Sequence, residues 1–120
     1  MVRHKAPDQS LCSMGLPLPG QVKSIAVESY FRALRTIMNA TAGVRSLGSA
    51  ALSLCYVAAG RHDAFIEDGQ SALDYGAAAL VVREAGGIVT GFDGGPIPKT
   101  GAILASVAGL HPWLVNQFRP

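Results

Sequence analysis

An α/β fold of alternating helix and sheet layers is what this sequence predicts, and two observations carry the prediction. Short apolar runs bounded by Gly, Pro and Asp alternate along the chain with longer segments of helical periodicity. That alternation is the pattern of strands and helices layered around a sheet. The length of 120 residues suits one domain with its own core, and no internal repeat or low-complexity run divides it.

Residues 1–9, with the basic start Arg3-His4-Lys5, read as a flexible, solvated tail. A strand over 10–16 follows and is closed by a loop marked by Pro17, Pro19 and Gly20. Val27, Tyr30, Phe31, Leu34, Ile37 and Met38 recur at spacings of three and four, with Glu28 and Arg32 in pairing register. They predict an amphipathic helix over 22–39. A short strand over 44–47 leads into a second helix over 49–59, with Ser49 as its cap and Gly60 as its stop. This helix carries no charge and is apolar nearly all round, so burial between layers is expected. A strand over 63–67, a helix over 72–85 ending in Gly86-Gly87 and a strand over 88–92 come next. Asp93-Gly94-Gly95-Pro96 reads as a turn, 102–107 as a strand, and 112–118 as a closing helix with Pro in its first turn.

Composition narrows the function. Apolar residues make up 49% and charged residues 15%, which places the chain in the soluble globular class. The longest uncharged run in the middle of the chain, 46–60, is shorter than the roughly 20 apolar residues a bilayer requires. No basic-then-apolar leader opens the sequence, so a cytoplasmic protein with no membrane partner is expected. A net charge of +2 gives no footprint for nucleic acid. Cys12 and Cys55 lack CxxC spacing, and reduced, partly buried thiols are the favoured reading, with a disulfide left open. His4, His62 and His111 form no ligand cluster. His62 reads as a surface residue, His111 as part of a helix entry, and Trp113 as core or edge packing.

In layered α/β folds ligands gather at the carboxyl ends of strands, beside the amino ends of the helices that follow. Two places fit. Arg45-Ser46-Leu47-Gly48-Ser49-Ala50 runs from a strand into a helix through small residues, which let a ligand approach the backbone and the free helix N–H groups. Glu67 ends a strand and Asp74 stands in the first turn of the next helix, so two carboxylates meet at one corner. They would hold a hard cation or grip a hydroxylated substrate. The competing reading is capping, because Ser71-Ala72-Leu73-Asp74 has the S-x-x-D pattern and an acidic first turn.

The residues Arg45-Ser46-Leu47-Gly48-Ser49-Ala50-Ala51, Tyr56-Val57-Ala58-Ala59-Gly60-Arg61, Asp63-Ala64-Phe65-Ile66-Glu67 and Leu73-Asp74, leading into Val82-Arg83-Glu84-Ala85-Gly86-Gly87, resemble the carboxy-terminal half of the inositol monophosphatase family. The likeness is loose over 11–118 and close over 44–93. It implies a fold of alternating helix and sheet layers in which 10–120 is the carboxy-terminal subdomain. It implies Mg²⁺-dependent hydrolysis of small phosphate monoesters such as inositol 1-phosphate. Asp74 would then ligate a catalytic magnesium, Glu67 would contact a substrate hydroxyl, and Gly48, Ser49 and Ala50 would line the substrate pocket.

Departures from the family pattern shape the expectation. Leu73 stands where the family usually has Trp, and Tyr75-Gly76-Ala77-Ala78 varies the small residues that follow. The amino-terminal half, with its glutamate pair and D-P-x-D-G-T segment, has no counterpart in 1–19. The expected protein is a truncated or split phosphatase with no complete catalytic set, weak or absent magnesium binding, and an exposed apolar face. Self-association or a missing amino-terminal half is the expected partner. The alternative is a non-catalytic interaction or remnant protein with the same half-fold. Related folds handle inositol, sugar, histidinol and nucleotide phosphates, so the sequence leaves the ester open.

Overall fold

The computed structural model describes residues 5–120. Five strands, β1 (Leu11–Met14), β2 (Gly43–Arg45), β3 (Ala64–Glu67), β4 (Ile88–Thr90) and β5 (Ile103–Ser106), form one mixed sheet in the order β2-β1-β3-β5-β4. β1 pairs in parallel with β2 and with β3, whereas β5 pairs antiparallel with β3 and with β4. The helices are α1 (Val27–Ala40), α2 (Ala50–Ala58), α3 (Ala72–Glu84) and α4 (His111–Asn116).

Strand residues point alternately to the two faces, and two separate cores record that period. Cys12, Met14, Ala64, Ile66 and Leu104 pack with Tyr30 and Ile37 of α1 and with Leu114 and Val115 of α4. Phe65, Ile103, Ala105 and Val89 pack with Leu54 and Val57 of α2 and with Ala79 and Val82 of α3. The result is a helix–sheet–helix sandwich, the layered α/β class that the sequence predicts.

Local chemistry sets the helix ends. Ser49 caps α2 by accepting the Leu52 N–H at 3.2 Å. The far end closes with Gly60 at φ 78°, where Gly60 N–H bonds to Val57 O and Arg61 N–H to Tyr56 O. Only a residue at ease with positive φ makes that double bond without strain. The first helix starts at Val27, not at 22, because its upstream residues are tied elsewhere: the Asp68 carboxylate accepts the N–H groups of Lys23 and Ser24. Burial of α2 is one-sided, contrary to its all-round apolar pattern. Ala50, Ser53, Leu54 and Val57 face inward, while Ala51, Leu52 and Cys55 are exposed, since no layer of the described residues covers the outward side.

Part of the expected tail is ordered. Pro7–Gln9 form a 3₁₀ turn, Ser10 is buried, and Lys5 Nζ lies 3.3 Å from both carboxylate oxygens of Asp63; residues 1–4 lie outside the described residues. Asp63 is buried, and its Oδ2 accepts the Leu11 N–H at 2.8 Å, fastening the start of β1 beside β3. Both cysteines are free; burial, with the Asp63 charge nearby, pushes the Cys12 thiol up to about 12, whereas Cys55 is exposed. His62 is buried, not a surface residue. The turn before β3 folds its ring edge-on to Tyr56, with centroids 5.1 Å apart.

His111 joins α4 to the sheet. Ser106 Oγ lies 2.7 Å from His111 Nδ1 and 3.0 Å from Val107 O. Its Nε2 lies 2.8 Å from Thr90 Oγ1, which also lies 2.7 Å from Gly91 O, so the ring is held between two hydroxyls. Burial pushes the imidazole down to about 4.

Three outcomes follow from these contacts. Asp63→Ala leaves the partly buried Leu11 N–H without its acceptor and should lower stability by about 1–2 kcal/mol in urea unfolding. Lys5→Ala removes only a partly exposed ion pair and should cost under about 1 kcal/mol. For His111, the folded state binds fewer protons than the unfolded state, whose ring titrates near about 6.5. Its contribution is full above that value and falls as pH drops toward 4, by at most about 1.4 kcal/mol per pH unit. Urea midpoints measured from pH 7 to 4 should fall less steeply in His111→Leu than in the wild type.

Candidate functional site

β1, flanked by a parallel neighbour on each side, marks the place where the chain reverses its winding direction, and the carboxyl ends of β1, β2 and β3 open there together. A cleft of about 340 Å³ lies at those ends, lined by Gln21, Gly48, Ser49, Ala50, Ala51, Glu67, Gln70 and Asp74. All five residues singled out in the sequence line this cleft: Gly48, Ser49, Ala50, Glu67 and Asp74.

Each wall has a local cause. β2 runs into α2 through Gly48, whose φ of 73° turns the chain and leaves the space where a Cβ would stand open. Beyond the Ser49 cap, the amides of Ala50 and Ala51 precede the first helical hydrogen-bond partners, so the amino end of α2 offers N–H groups and a positive dipole end to an anion. β3 delivers Glu67 on the same face as Phe65. Glu67 is half-buried and accepts a hydrogen bond from Gln70 Nε2, and burial raises its carboxyl above the ordinary glutamate value.

Asp74 stands exposed in the first turn of α3. The capping arrangement suggested by Ser71-x-x-Asp74 is not formed. Ser71 makes no side-chain bond to the helix amides, and its hydroxyl donates to Asp74 Oδ2 at 2.9 Å. The Asp74 carboxylate therefore keeps most of its lone pairs available.

Three residues of this corner carry no sequence signal of their own. Asp68 is 1% exposed, and its carboxylate accepts from Lys23 N, Ser24 N, Ser24 Oγ and Gly69 N at 2.6–3.0 Å. It ties the Pro-rich loop after β1 to the end of β3, and that tie brings Gln21 to the cleft, where its Nε2 donates to Asp68 O at 2.7 Å. Gln70 sits in what reads as a plain connection. A larger groove of about 510 Å³ along the outer side of α1 is lined by that helix alone and brings together no reactive set.

Magnesium takes about six oxygens in octahedral array. Among the described residues no group of three His, Cys, Asp or Glu side chains is placed to hold a metal ion. Asp74 offers one exposed carboxylate and Glu67 a second across the cleft, so these residues by themselves do not make a magnesium site.

The family model described as the inositol monophosphatase family matches residues 7–120. The chain belongs to the inositol monophosphatase family. Proteins similar to it carry more than one name. A Nus factor SuhB of Pseudomonas aeruginosa is 43% identical over 118 residues, which are 97% of this chain and 43% of that protein. An inositol-1-monophosphatase of Mesorhizobium japonicum is 60% identical over 62 residues, 52% of this chain and 23% of that one. The structure of extragenic suppressor protein suhB from Bartonella henselae superposes with a TM-score of 0.87 at 36% identity, covering 99% of this chain and 45% of that one. The inositol monophosphatase of Anabaena superposes with a TM-score of 0.81 at 32% identity. The chain thus spans less than half the length of the relatives it matches. Among the described residues no helix is long and apolar enough to cross a membrane.

The roles of the cleft residues in folding separate cleanly. Ser49→Ala should lower stability by about 1 kcal/mol through loss of the α2 cap. Asp74→Asn, at an exposed position, should stay within about 0.5 kcal/mol of wild type. Thermal unfolding followed by circular dichroism checks both.

Proposed function

We propose that this chain supplies one wall of a magnesium-dependent site that hydrolyses small phosphate monoesters such as inositol 1-phosphate, in a cytoplasmic protein. The observation that carries the reading is the meeting of Gly48, Ser49, Ala50, Glu67 and Asp74 in one cleft at the carboxyl ends of parallel strands. On this reading the amino end of α2 binds and orients the phosphate, and Glu67 accepts a hydrogen bond from a hydroxyl of the alcohol that leaves. Asp74 is the carboxylate this chain contributes toward magnesium. The metal, when bound, stabilises charge on the attacking and leaving oxygens.

One or two carboxylates do not fill a magnesium shell, so the reading requires further ligands from polypeptide packed beside α2 and α3. Those helices expose Leu52, Leu73, Leu80 and Val81, apolar surface of the kind that marks an interaction site. The covering element is proposed to be an amino-terminal half carrying the family's remaining carboxylates, with self-association as the competing arrangement. A second reading has its own support. Several relatives are named Nus factors, and a non-catalytic interaction protein would use the same exposed face.

Phosphate release from inositol 1-phosphate tests the proposal, with the chain alone and with a family amino-terminal half supplied in trans. Magnesium-dependent release should appear with the added half and vanish in Asp74→Asn. Glu67→Gln should lower kcat/KM by about 10- to 100-fold, the worth of a hydrogen bond to a charged group. A soluble complex that forms but releases no phosphate would favour the interaction reading.

A further inference from the structure

A carboxylate that selects one hydroxyl must hold one rotamer, because a side chain sampling several spends most of its time aimed elsewhere. Glu67 is only half-buried, and glutamate is among the most rotamer-rich side chains. Something around it has to fix its direction. The geometry points to Gly15 and Gln70 as the two residues that position Glu67, Gly15 by leaving room for its carboxyl and Gln70 by a hydrogen bond to it. This inference rests on the reading of Glu67 as the group that meets the substrate alcohol.

Gly15 immediately follows β1, and its N–H donates to Ile66 O at 2.9 Å in the parallel ladder. A Cβ built on it would overlap the end of the Glu67 side chain at Cγ, Cδ and Oε1. The φ of Gly15 is not positive, so no turn demands glycine here. What glycine provides here is the room that the Glu67 carboxyl occupies in this rotamer. The Tyr30 hydroxyl donates to Gly15 O at 2.6 Å, and Tyr30 is 1% exposed. The floor under Glu67 is thus anchored through α1 to the core on the far face of the sheet.

Gln70 is held as firmly from the other side. Its N–H donates to Gly101 O at 3.1 Å, and a Cβ at Gly101 would strike its backbone. With the main chain fixed, its side-chain Nε2 reaches Glu67 Oε2. One carboxylate oxygen therefore rests over bare backbone and the other takes the amide. No other described side chain bonds to Glu67. Neither Gly15 nor Gln70 needs to touch a ligand to set where Glu67 points.

The test reads the rotamer directly, in the full chain and without a ligand. Three-bond couplings across χ1 of Glu67, measured by nuclear magnetic resonance, should show a single rotamer in the wild type. Gln70→Met keeps the bulk and removes the amide. It should bring those couplings to averaged values while amide shifts elsewhere and the melting temperature stay put, a combination that a purely structural role would not produce. Gly15→Ala should drive Glu67 into a different rotamer, and Gln70→Met carries the test if that buried change prevents folding. Averaged couplings in the wild type, or unchanged couplings in Gln70→Met, would overturn the assignment. Titration with inositol 1-phosphate separates the two readings: Gln70→Met should bind about tenfold more weakly than wild type. A wild-type chain that orders Glu67 yet shows no affinity for the ester, alone or with the added half, would sink the functional reading while the rotamer data uphold this one.

Discussion

β1 hydrogen-bonds to a parallel strand on each side, and parallel neighbours can be joined only by chain that crosses a face of the sheet. Such crossings are right-handed, so the step from β1 outward to β2 and the step from β2 back over to β3 must use opposite faces. α1 takes one face and α2 the other, which by itself produces the two cores. The same constraint opens the carboxyl ends of β1, β2 and β3 onto one spot, where Gly15, Gly48 and Glu67 arrive from segments far apart in sequence. The cleft follows from this winding, and its chemistry is decided by which residues end those strands.

Much of this was legible in the sequence because it is written in local signals. The three- and four-residue spacing from Val27 to Met38, the Ser49 cap with its Gly60 stop and the Gly86-Gly87 ending of α3 each depend on neighbours within one or two turns. That Glu67 and Asp74 share one corner was legible for a similar reason, since a strand end and the first turn of the following helix place them seven residues apart across one short connection. The errors fall where distant groups intervene. The start of α1 shifts because Asp68, more than forty residues away, claims the N–H groups of Lys23 and Ser24. His62 is buried because the turn before β3 folds it against Tyr56, a contact that no periodicity announces.

The residues of the cleft divide along the same line. Gly48, Ser49 and Ala50 belong to a strand-to-helix turn that a reader recognises from small residues alone. Gln21 does not, since its place in the cleft depends on a buried carboxylate gathering a Pro-rich loop. Gly15 is the least legible of all. The sequence places it inside a strand over 10–16; its backbone needs no positive φ, and what it provides is vacant space beneath a side chain that arrives fifty-two positions later. Empty volume leaves no pattern in a sequence.

The two thiols described above differ in a way that has a practical side. Cys12 is sealed in the core with its proton held to about pH 12, so it is inert toward electrophiles in neutral solution. Cys55 stands in the open on the outward side of α2, next to Leu52 in the apolar stripe. A maleimide dye would mark that one atom and leave the other untouched. The exposed apolar face of α2 thus comes with a single built-in attachment point for a fluorophore or spin label.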